Sequence, residues 1–185
     1  FDDVYLYATP KTRLFDWYVT TGLDKEYKDA DLRIEATVRS YDDVPVQSPL
    51  KVLAVLSDAE GKTVAELESQ EARFAAGSKS LTLTMTKHIA NPLKWTAETP
   101  DLYSLKMYLI DASTGKRICG NTAEDARQDV GFKETEIINN VFHLNGKPLK
   151  VNAQNSHMQD PDNGHAVTDD LIRKDMEILK RYGFN

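Results

Sequence analysis

The sequence predicts a mainly β protein: an immunoglobulin-like antiparallel β-sandwich, followed by the first strand and helix of a parallel α/β unit. Roughly eight short segments of β-like character recur about every 8–15 residues over the first two-thirds of the chain, which is typical of sandwiches. No convincing amphipathic helix interrupts them. The remainder instead combines a hairpin, a polar loop and one amphipathic helix. We therefore predict a sandwich over residues 1–138 and the start of a second domain over residues 139–185.

The strands of the sandwich are predicted from alternation and from the turns between them. Residues 32–38 (LRIEATV) alternate apolar and polar side chains, as a half-buried strand does. Residues 52–56 (VLAVL) are nearly all apolar, which favours a central strand. Turns are predicted at residues 58–62 and 113–116. The full set of predicted strands is 4–8, 14–20, 32–38, 52–56, 63–68, 81–85, 102–112 and 127–133.

The second domain begins with a strong hairpin signal. Asn145-Gly146 lies between two short apolar runs, and both residue types tolerate the positive φ of a type I′ turn. A strand is predicted from about Leu149, followed by a polar loop and a helix. Thr168 is the predicted N-cap of that helix, and Gly183 its terminating residue. A strand, a loop and a helix in this order are typical of the first βα unit of a parallel sheet or barrel.

The predicted helix has one apolar arc and a charged remainder. Asp175 lies within the arc, so we expect it to need a buried partner. We also expect the arc to pack on the sandwich or on a second copy of the chain, or the helix to be disordered. The apolar residues of the arc are Leu171, Ile172, Met176, Ile178, Leu179 and Tyr182.

Composition excludes several classes of protein. With 41% hydrophobic and 28% charged residues, the 185-residue chain is typical of a globular domain. A net charge of -6 argues against a nucleic-acid partner, because phosphate binding needs a basic face. No apolar run is long enough to span a bilayer, so we expect no membrane partner. The single cysteine, Cys119, excludes an internal disulfide and any zinc knuckle, and we expect no metal site in this chain.

Four ordered motifs in this chain resemble a known glycosidase family. Residues 93–103 (LKWTAETPDLY) match a Trp-x-x-Glu-x-Pro-x-Leu-Tyr signature, and 130–133 (VGFK) match a Gly-Phe-Arg turn. Residues 144–148 (LNGKP) and the terminal GFN match a hairpin and a helix end. Together they resemble glycoside hydrolase family 2, which includes β-galactosidases, β-glucuronidases and β-mannosidases. Residues 157–167, with His157, Pro161 and the GHAV run, are most similar to β-galactosidases.

The resemblance implies a retaining glycosidase in which this chain is the central sandwich and the start of a (β/α)₈ barrel. Such an enzyme uses two carboxylates, which the resemblance places beyond Asn185, so we expect no catalytic residue here and an inactive fragment. It also implies a divalent cation and Na⁺ in the full-length parent, and none in this fragment. The expected partners are a carbohydrate substrate, other domains of the same polypeptide, and a second copy in a homo-oligomer.

Two residues are candidates for substrate binding by the resemblance, His157 and Asn155. They are what remains of a Gly-Val-Asn-Arg-His-Glu motif that stands here as residues 153–158 (AQNSHM), which leaves sugar specificity open. By analogy His157 lies at the carboxyl end of the first barrel strand, where barrel enzymes bind substrate. Without the resemblance, His157 is interpreted as an exposed loop histidine. The other histidines, the tryptophans and the paired acids are interpreted as structural residues without a role in binding or catalysis. They are His88, His143, His165, Trp17, Trp95 and the acids at 2–3, 42–43 and 169–170.

Three alternatives remain open from the sequence. The chain fits a free-standing carbohydrate-binding or adhesion sandwich if it carries an exposed aromatic platform. It also fits a catalytically dead homologue, because the Arg and Glu of the motif around His157 are replaced. A third alternative keeps the enzyme class and changes the substrate to a β-glucuronide or β-mannoside. The compartment is open, and we expect a soluble protein of the bacterial cytoplasm or periplasm.

Overall fold

The computed structural model describes residue 4, residues 6–118 and residues 126–185. Cys119 and the acid pair Asp2-Asp3 lie outside the described residues. Within them the chain forms, in order, β1 (Thr12–Leu23), β2 (Ala30–Ser40), β3 (Leu50–Ser57), β4 (Thr63–Glu68), β5 (Ser80–Ile89), β6 (Tyr103–Asp111), β7 (Lys116–Arg117), β8 (Ala126–Val130), β9 (Thr135–Ile138), β10 (Val141–Leu144), β11 (Lys147–Pro148) and α1 (Asp169–Arg181).

The first eight strands form two antiparallel sheets that share one core, as the sequence predicts. One sheet has the order β1-β2-β5. In the other, β3 lies between β4 and β6, while β7 and β8 both pair with the remaining edge of β6. The central position of β3 confirms the interpretation of its continuous apolar run. The mainly β, immunoglobulin-like fold class is therefore confirmed.

Alternation along β2 and β3 builds the core. In β2 every second side chain is buried, and the intervening ones face outward, because successive residues of a strand point to opposite sides of the sheet. β3 and β6 supply the facing layer. Tyr103 and Phe132 meet edge to face, with ring centroids 5.1 Å apart, where the sandwich passes into the next segment. The fully buried apolar residues of the two layers include Leu32, Ile34, Ala36, Val38, Leu50, Val52, Ala54, Leu56 and Leu105.

A small third sheet, of order β9-β10-β11, follows the sandwich. Asn145 and Gly146 connect β10 to β11 with φ values of 50° and 75°, which confirms the predicted hairpin. β9, for which the sequence predicts no strand, lies just before the predicted boundary at residue 138 and pairs with β10. The Thr168 hydroxyl accepts a hydrogen bond from the backbone N–H of Leu171, and Gly183 has a φ of 80°, so both ends of α1 are as predicted.

Two predicted strands are wrong in the described residues. Residue 4 and residues 6–8 form no strand, and Val4, Leu6 and Tyr7 are largely exposed. No strand begins at Leu149 either. A barrel strand is held by neighbouring strands on both sides, and no strand among the described residues pairs with this segment in a sheet. Alternation alone does not make a strand without a partner.

The expected packing of α1 on the sandwich is also wrong. None of its residues is buried, and Met176, Ile178 and Tyr182 are 50%, 40% and 77% exposed. Asp175 is exposed and so has no need of the buried partner that was predicted. Packing of the arc on a second copy stays a prediction. Among the described residues, no helix is long and apolar enough to cross a membrane.

Candidate functional site

The candidate substrate-binding residues lie in the long polar loop between β11 and α1. Asn155 and His157 are both exposed there, on a stretch without regular secondary structure. Among the described residues, no hydrogen bond or ion pair involves either side chain. Their side chains are therefore accessible to a ligand, and the backbone of the loop determines their orientation.

The middle of this loop folds around Asp160. One carboxylate oxygen of Asp160 accepts hydrogen bonds of 2.8 Å from the backbone N–H groups of both Asp162 and Asn163. These bonds favour the ionised acid, and the N–H of Asn163 is the main reason that the pKa of Asp160 lies below its ordinary value. Backbone hydrogen bonds in both directions between Asp160 and Gly164 close the turn. A local carboxylate thus shapes the loop that carries His157.

The turn brings a second histidine beside the candidate residues. Nδ1 of His165 lies 3.2 Å from the backbone oxygen of Met158, the neighbour of His157. Sequence reasoning interpreted His165 as an ordinary loop residue. The glycine at 164, with a φ of 64°, was the available signal, because it permits the reversal that returns His165 to residue 158. The structure therefore places two histidines in the same loop segment.

The two ends of the loop–helix segment are joined by asparagine side chains. The backbone N–H of Asn152 donates to the Asn185 side chain at 2.9 Å, and the backbone N–H of Asn185 donates to the oxygen of Asn152 at 3.2 Å. The Asn152 amide also donates to the oxygen of Gly183 at 2.9 Å, and that of Asn185 to the oxygen of Lys150 at 3.2 Å. This fixes the entry of the loop against the end of α1. In the sequence the terminal GFN is recognisable only as a motif, and these contacts give its asparagine a structural role.

The hairpin beneath the loop is attached to the sandwich through Asn145. Its side-chain amide donates to the backbone oxygen of Trp95 at 3.1 Å, and its side-chain oxygen accepts from the N–H of Glu134 at 2.9 Å. Lys133 places its ammonium 4.5 Å from the ring centroid of Trp95, which is half-buried. Trp95 therefore lies at the junction of the two segments. Trp17 packs against the core, and its indole N–H donates to Gln128 at 2.8 Å.

Tyr27 makes the second attachment. Its hydroxyl donates to Oε2 of Glu136 at 2.5 Å, and this hydrogen bond is the main reason that the pKa of Tyr27 is raised. The ring lies so close to the hairpin turn that a Cβ on Gly146 would be 2.7 Å from Cζ of Tyr27. The carboxylate of Asp24 accepts from the N–H groups of Glu26, Lys28 and Asp29, which shapes the loop on which Tyr27 stands.

Comparison with known proteins places these segments in one family. Residues 12–133 match the description Glycosyl hydrolases family 2, and residues 135–185 match its TIM barrel domain. The chain belongs to glycosyl hydrolase family 2. The division between the two matches falls between Lys133 and Thr135, just before β9.

Curated relatives of this family 2 chain are bacterial β-galactosidases. The chain is 31% identical over 186 residues to one from Priestia megaterium and 32% identical over 187 residues to one from Vibrio vulnificus. It is 34% identical over 188 residues to one from Aeromonas hydrophila. Each comparison covers 100% of this chain and 17% of the relative, so the chain spans about a sixth of their length.

Solved structures of family 2 proteins share the fold. A β-glucuronidase from Bacteroides uniformis superposes with a TM-score of 0.76 at 22% identity, covering 96% of this chain and 21% of that one. A family 2 member from Bacteroides cellulosilyticus gives 0.78 at 21% identity, covering 91% and 22%. At this identity the likeness concerns the fold alone. It is consistent with the sandwich and the start of a barrel domain.

The acidic residues of the family 2 chain are engaged in local structure. Asp42 pairs with Lys11 at 3.3 Å, and Asp169 and Asp170 stand in the first turn of α1, where negative charge is favoured. Over the part of the chain that the structure describes, no group of three His, Cys, Asp or Glu side chains is arranged to hold a metal ion. His143 is a strand residue whose Nδ1 lies 2.9 Å from the oxygen of Val141.

Proposed function

We propose that this chain serves a longer retaining glycoside hydrolase that cleaves terminal β-galactosides. The observation that carries the proposal is the unbroken similarity of all 185 residues to β-galactosidases at 31–34% identity. Both parts of the chain, the sandwich and the start of the barrel domain, match in the same order. The β-glucuronidase structures are less similar in sequence, and so support the fold rather than that substrate.

Within such an enzyme the chain would have a structural role. The sandwich contacts the hairpin through Asn145 with Trp95 and through Tyr27 with Glu136. Lys180 of α1 donates to the backbone oxygen of Ala97, which attaches the helix to the sandwich at one point. A sandwich held in this way would set the position of the first barrel strand. The predicted domain boundary at residue 138 stays a prediction, and β9, which precedes it, pairs with β10, which follows it.

His157 and Asn155 are the residues that we propose for contact with the sugar. An imidazole can donate to or accept from a hydroxyl, and it contributes to rate when that bond is stronger in the transition state than in the ground state. Both side chains are exposed and uncommitted. Retaining hydrolysis further needs two carboxylates about 5–5.5 Å apart, which we assign to the rest of the barrel. We also assign the divalent cation and Na⁺ to that part, as the resemblance to the family implies.

The test is hydrolysis by a polypeptide that joins this chain to a complete barrel domain. We expect turnover of 4-nitrophenyl β-galactoside in preference to the β-glucuronide and the β-mannoside, measured as kcat/KM for each. The 185-residue chain alone should hydrolyse none of them. Preference for the glucuronide would overturn the substrate assignment, and turnover by the chain alone would overturn the division of roles.

His157→Ala and Asn155→Ala in that polypeptide test the two site residues. A lost hydrogen bond to the sugar is worth about 1 kcal/mol, or roughly fivefold in kcat/KM, and more if the bond strengthens in the transition state. His143→Ala is the matched control, since His143 is a strand residue outside the loop. Equal effects of His143→Ala and His157→Ala on kcat/KM would argue against a contact with the sugar.

A further inference from the structure

The outer face of the first sheet carries two arginines directly opposite each other. Arg13 of β1 and Arg39 of β2 are partners in the strand register. Like charges in this position destabilise a sheet, because the Cβ atoms of opposite residues are only about 5 Å apart. No carboxylate pairs with either guanidinium over the described part of the chain. The nearby Asp42 is engaged by Lys11 at 3.3 Å.

Aromatic rings lie against both arginines, and Arg13 also donates a hydrogen bond to the hydroxyl of Thr9. The Arg39 guanidinium lies 3.7 Å from the ring centroid of Phe15, and that of Arg13 lies 5.0 Å from Tyr41 and 6.0 Å from Phe15. Phe15 is the extra residue of a β-bulge, where the register shifts between Leu14 and Asp16. Bulges re-aim side chains, and this one turns a ring onto the arginines. Arg13, Arg39, Phe15 and Tyr41 together form what we call the arginine–aromatic cluster.

The arginine–aromatic cluster has the chemistry to bind a ligand that carries a carboxylate on a sugar ring. A guanidinium stacked on a ring keeps its N–H donors at its edge, in a fork that matches a carboxylate. One anion between Arg13 and Arg39 would relieve their repulsion. Phe15 and Tyr41 remain 39% and 50% exposed, and Tyr18, on the same strand as Phe15, is 67% exposed. Aromatic side chains offer apolar faces on which a pyranose can pack.

We propose that the arginine–aromatic cluster binds a saccharide of the uronic-acid class. The family acts on carbohydrate, which favours a sugar over an acidic peptide as the source of the carboxylate. The site lies on the sandwich, whereas His157 lies in the loop before α1. Failure of this proposal would therefore leave the proposed hydrolase function unaffected, and the reverse also holds.

The test is a calorimetric titration of the 185-residue chain with trigalacturonate. We expect binding that weakens with added NaCl, because exposed charges are screened, and that is at least about tenfold weaker for neutral cellotriose. Hexaglutamate distinguishes a peptide from a sugar. Equal affinity for the acidic and neutral trisaccharides, or tighter binding of hexaglutamate than of trigalacturonate, would overturn the proposal.

Variants locate the site. Arg39→Gln should weaken trigalacturonate binding about tenfold, the effect of one lost charge-assisted hydrogen bond. Phe15→Leu should weaken it about threefold through the lost stacking. Arg117→Gln is the matched control, because Arg117 stacks on Tyr108 at the same 3.7 Å but in the other sheet. Circular dichroism establishes that each variant is folded. Unchanged affinity in Arg39→Gln, or an equal loss in Arg117→Gln, would contradict the proposed site.

Discussion

Gly146 is the residue at which the hairpin comes so close to the sandwich that no side chain fits. Its φ of 75° already disfavours other residues, and the ring of Tyr27 occupies the space where a Cβ would stand. Any substitution at residue 146 therefore has two costs, the positive φ and the clash with the Tyr27 ring. Gly61 allows the φ cost to be measured alone, since it has a φ of 81° and open space around it.

Gly146→Ala should lower the free energy of unfolding more than Gly61→Ala does. The positive φ costs each variant about 1 kcal/mol, and the contact with Tyr27 adds roughly 1–3 kcal/mol only at residue 146. Urea denaturation of the two variants and the parent chain measures the difference. In a Tyr27→Ala background, Gly146→Ala should cost less than it does in the parent chain, because the ring that it would clash with is gone. Equal destabilisation of the two glycine variants would show that the Tyr27 contact is not restrictive.

Tyr27→Phe tests the hydrogen bond to Glu136 through its pH dependence. The pKa of Tyr27 is raised in the folded chain, so the folded state favours the protonated phenol. The stabilisation is complete below the ordinary tyrosine pKa of about 10 and is lost as the pH rises through the folded value. The difference in the free energy of unfolding between the parent and Tyr27→Phe should shrink as the pH rises above about 10. Tyr18→Phe, at a tyrosine that is 67% exposed, is the control for loss of a hydroxyl.

The sequence predicted the turn at Asn145-Gly146 but not its contacts. Turn chemistry is local, since it depends on which residues tolerate a positive φ. The contacts of Gly146 with Tyr27 and of Asn145 with Trp95 join residues far apart in the chain, and no pattern in the sequence pairs them. Likewise His157 was found through a motif, whereas the approach of His165 to residue 158 depends on a turn made by Gly164.

Among the elements, the strands of the sandwich were predictable because each buries one face. Alternation in β2 and the apolar run of β3 follow directly from the layers around them. The predicted strands at 4–8 and from Leu149 failed for a shared reason, because no described residue of either segment is paired in a sheet. The 13-residue helix α1 lies between these two outcomes. It was predicted correctly from its caps and terminal charges, which are local features, although none of its residues is buried.

α1 should therefore depend on its caps more than a packed helix does. Isolated helices of this length are marginal in water, and loss of an N-cap costs about 1 kcal/mol. Thr168→Ala should speed amide hydrogen exchange throughout α1 and leave β2 unchanged, whereas Thr168→Asp, which retains a capping oxygen, should stay near the parent rate. Exchange in α1 as slow as that in β2 would contradict a helix without tertiary support.

For the whole molecule, the contrast between its two parts is the main physical feature. The sandwich buries a continuous core between two sheets, while the segment after it carries an apolar helix face and an uncommitted loop. The junction includes the Tyr27 and Asn145 contacts and the bond from Lys180 to Ala97. Such a molecule has a stable platform and a surface that would gain from a partner.

Met176→Lys tests whether the helix face is such a surface. Met176 is 50% exposed, and an apolar arc in water favours self-association because contact removes its area from solvent. Sedimentation of the parent chain should show concentration-dependent dimers, which Met176→Lys should weaken by about tenfold, since burying an unpaired charge opposes association. Glu177→Gln makes the same change in net charge next to it and should leave association unchanged. The melting temperature of the sandwich should be equal in all three proteins, because α1 contributes nothing to the sandwich core. A lower melting temperature in Met176→Lys would mean that the helix does pack on the sandwich.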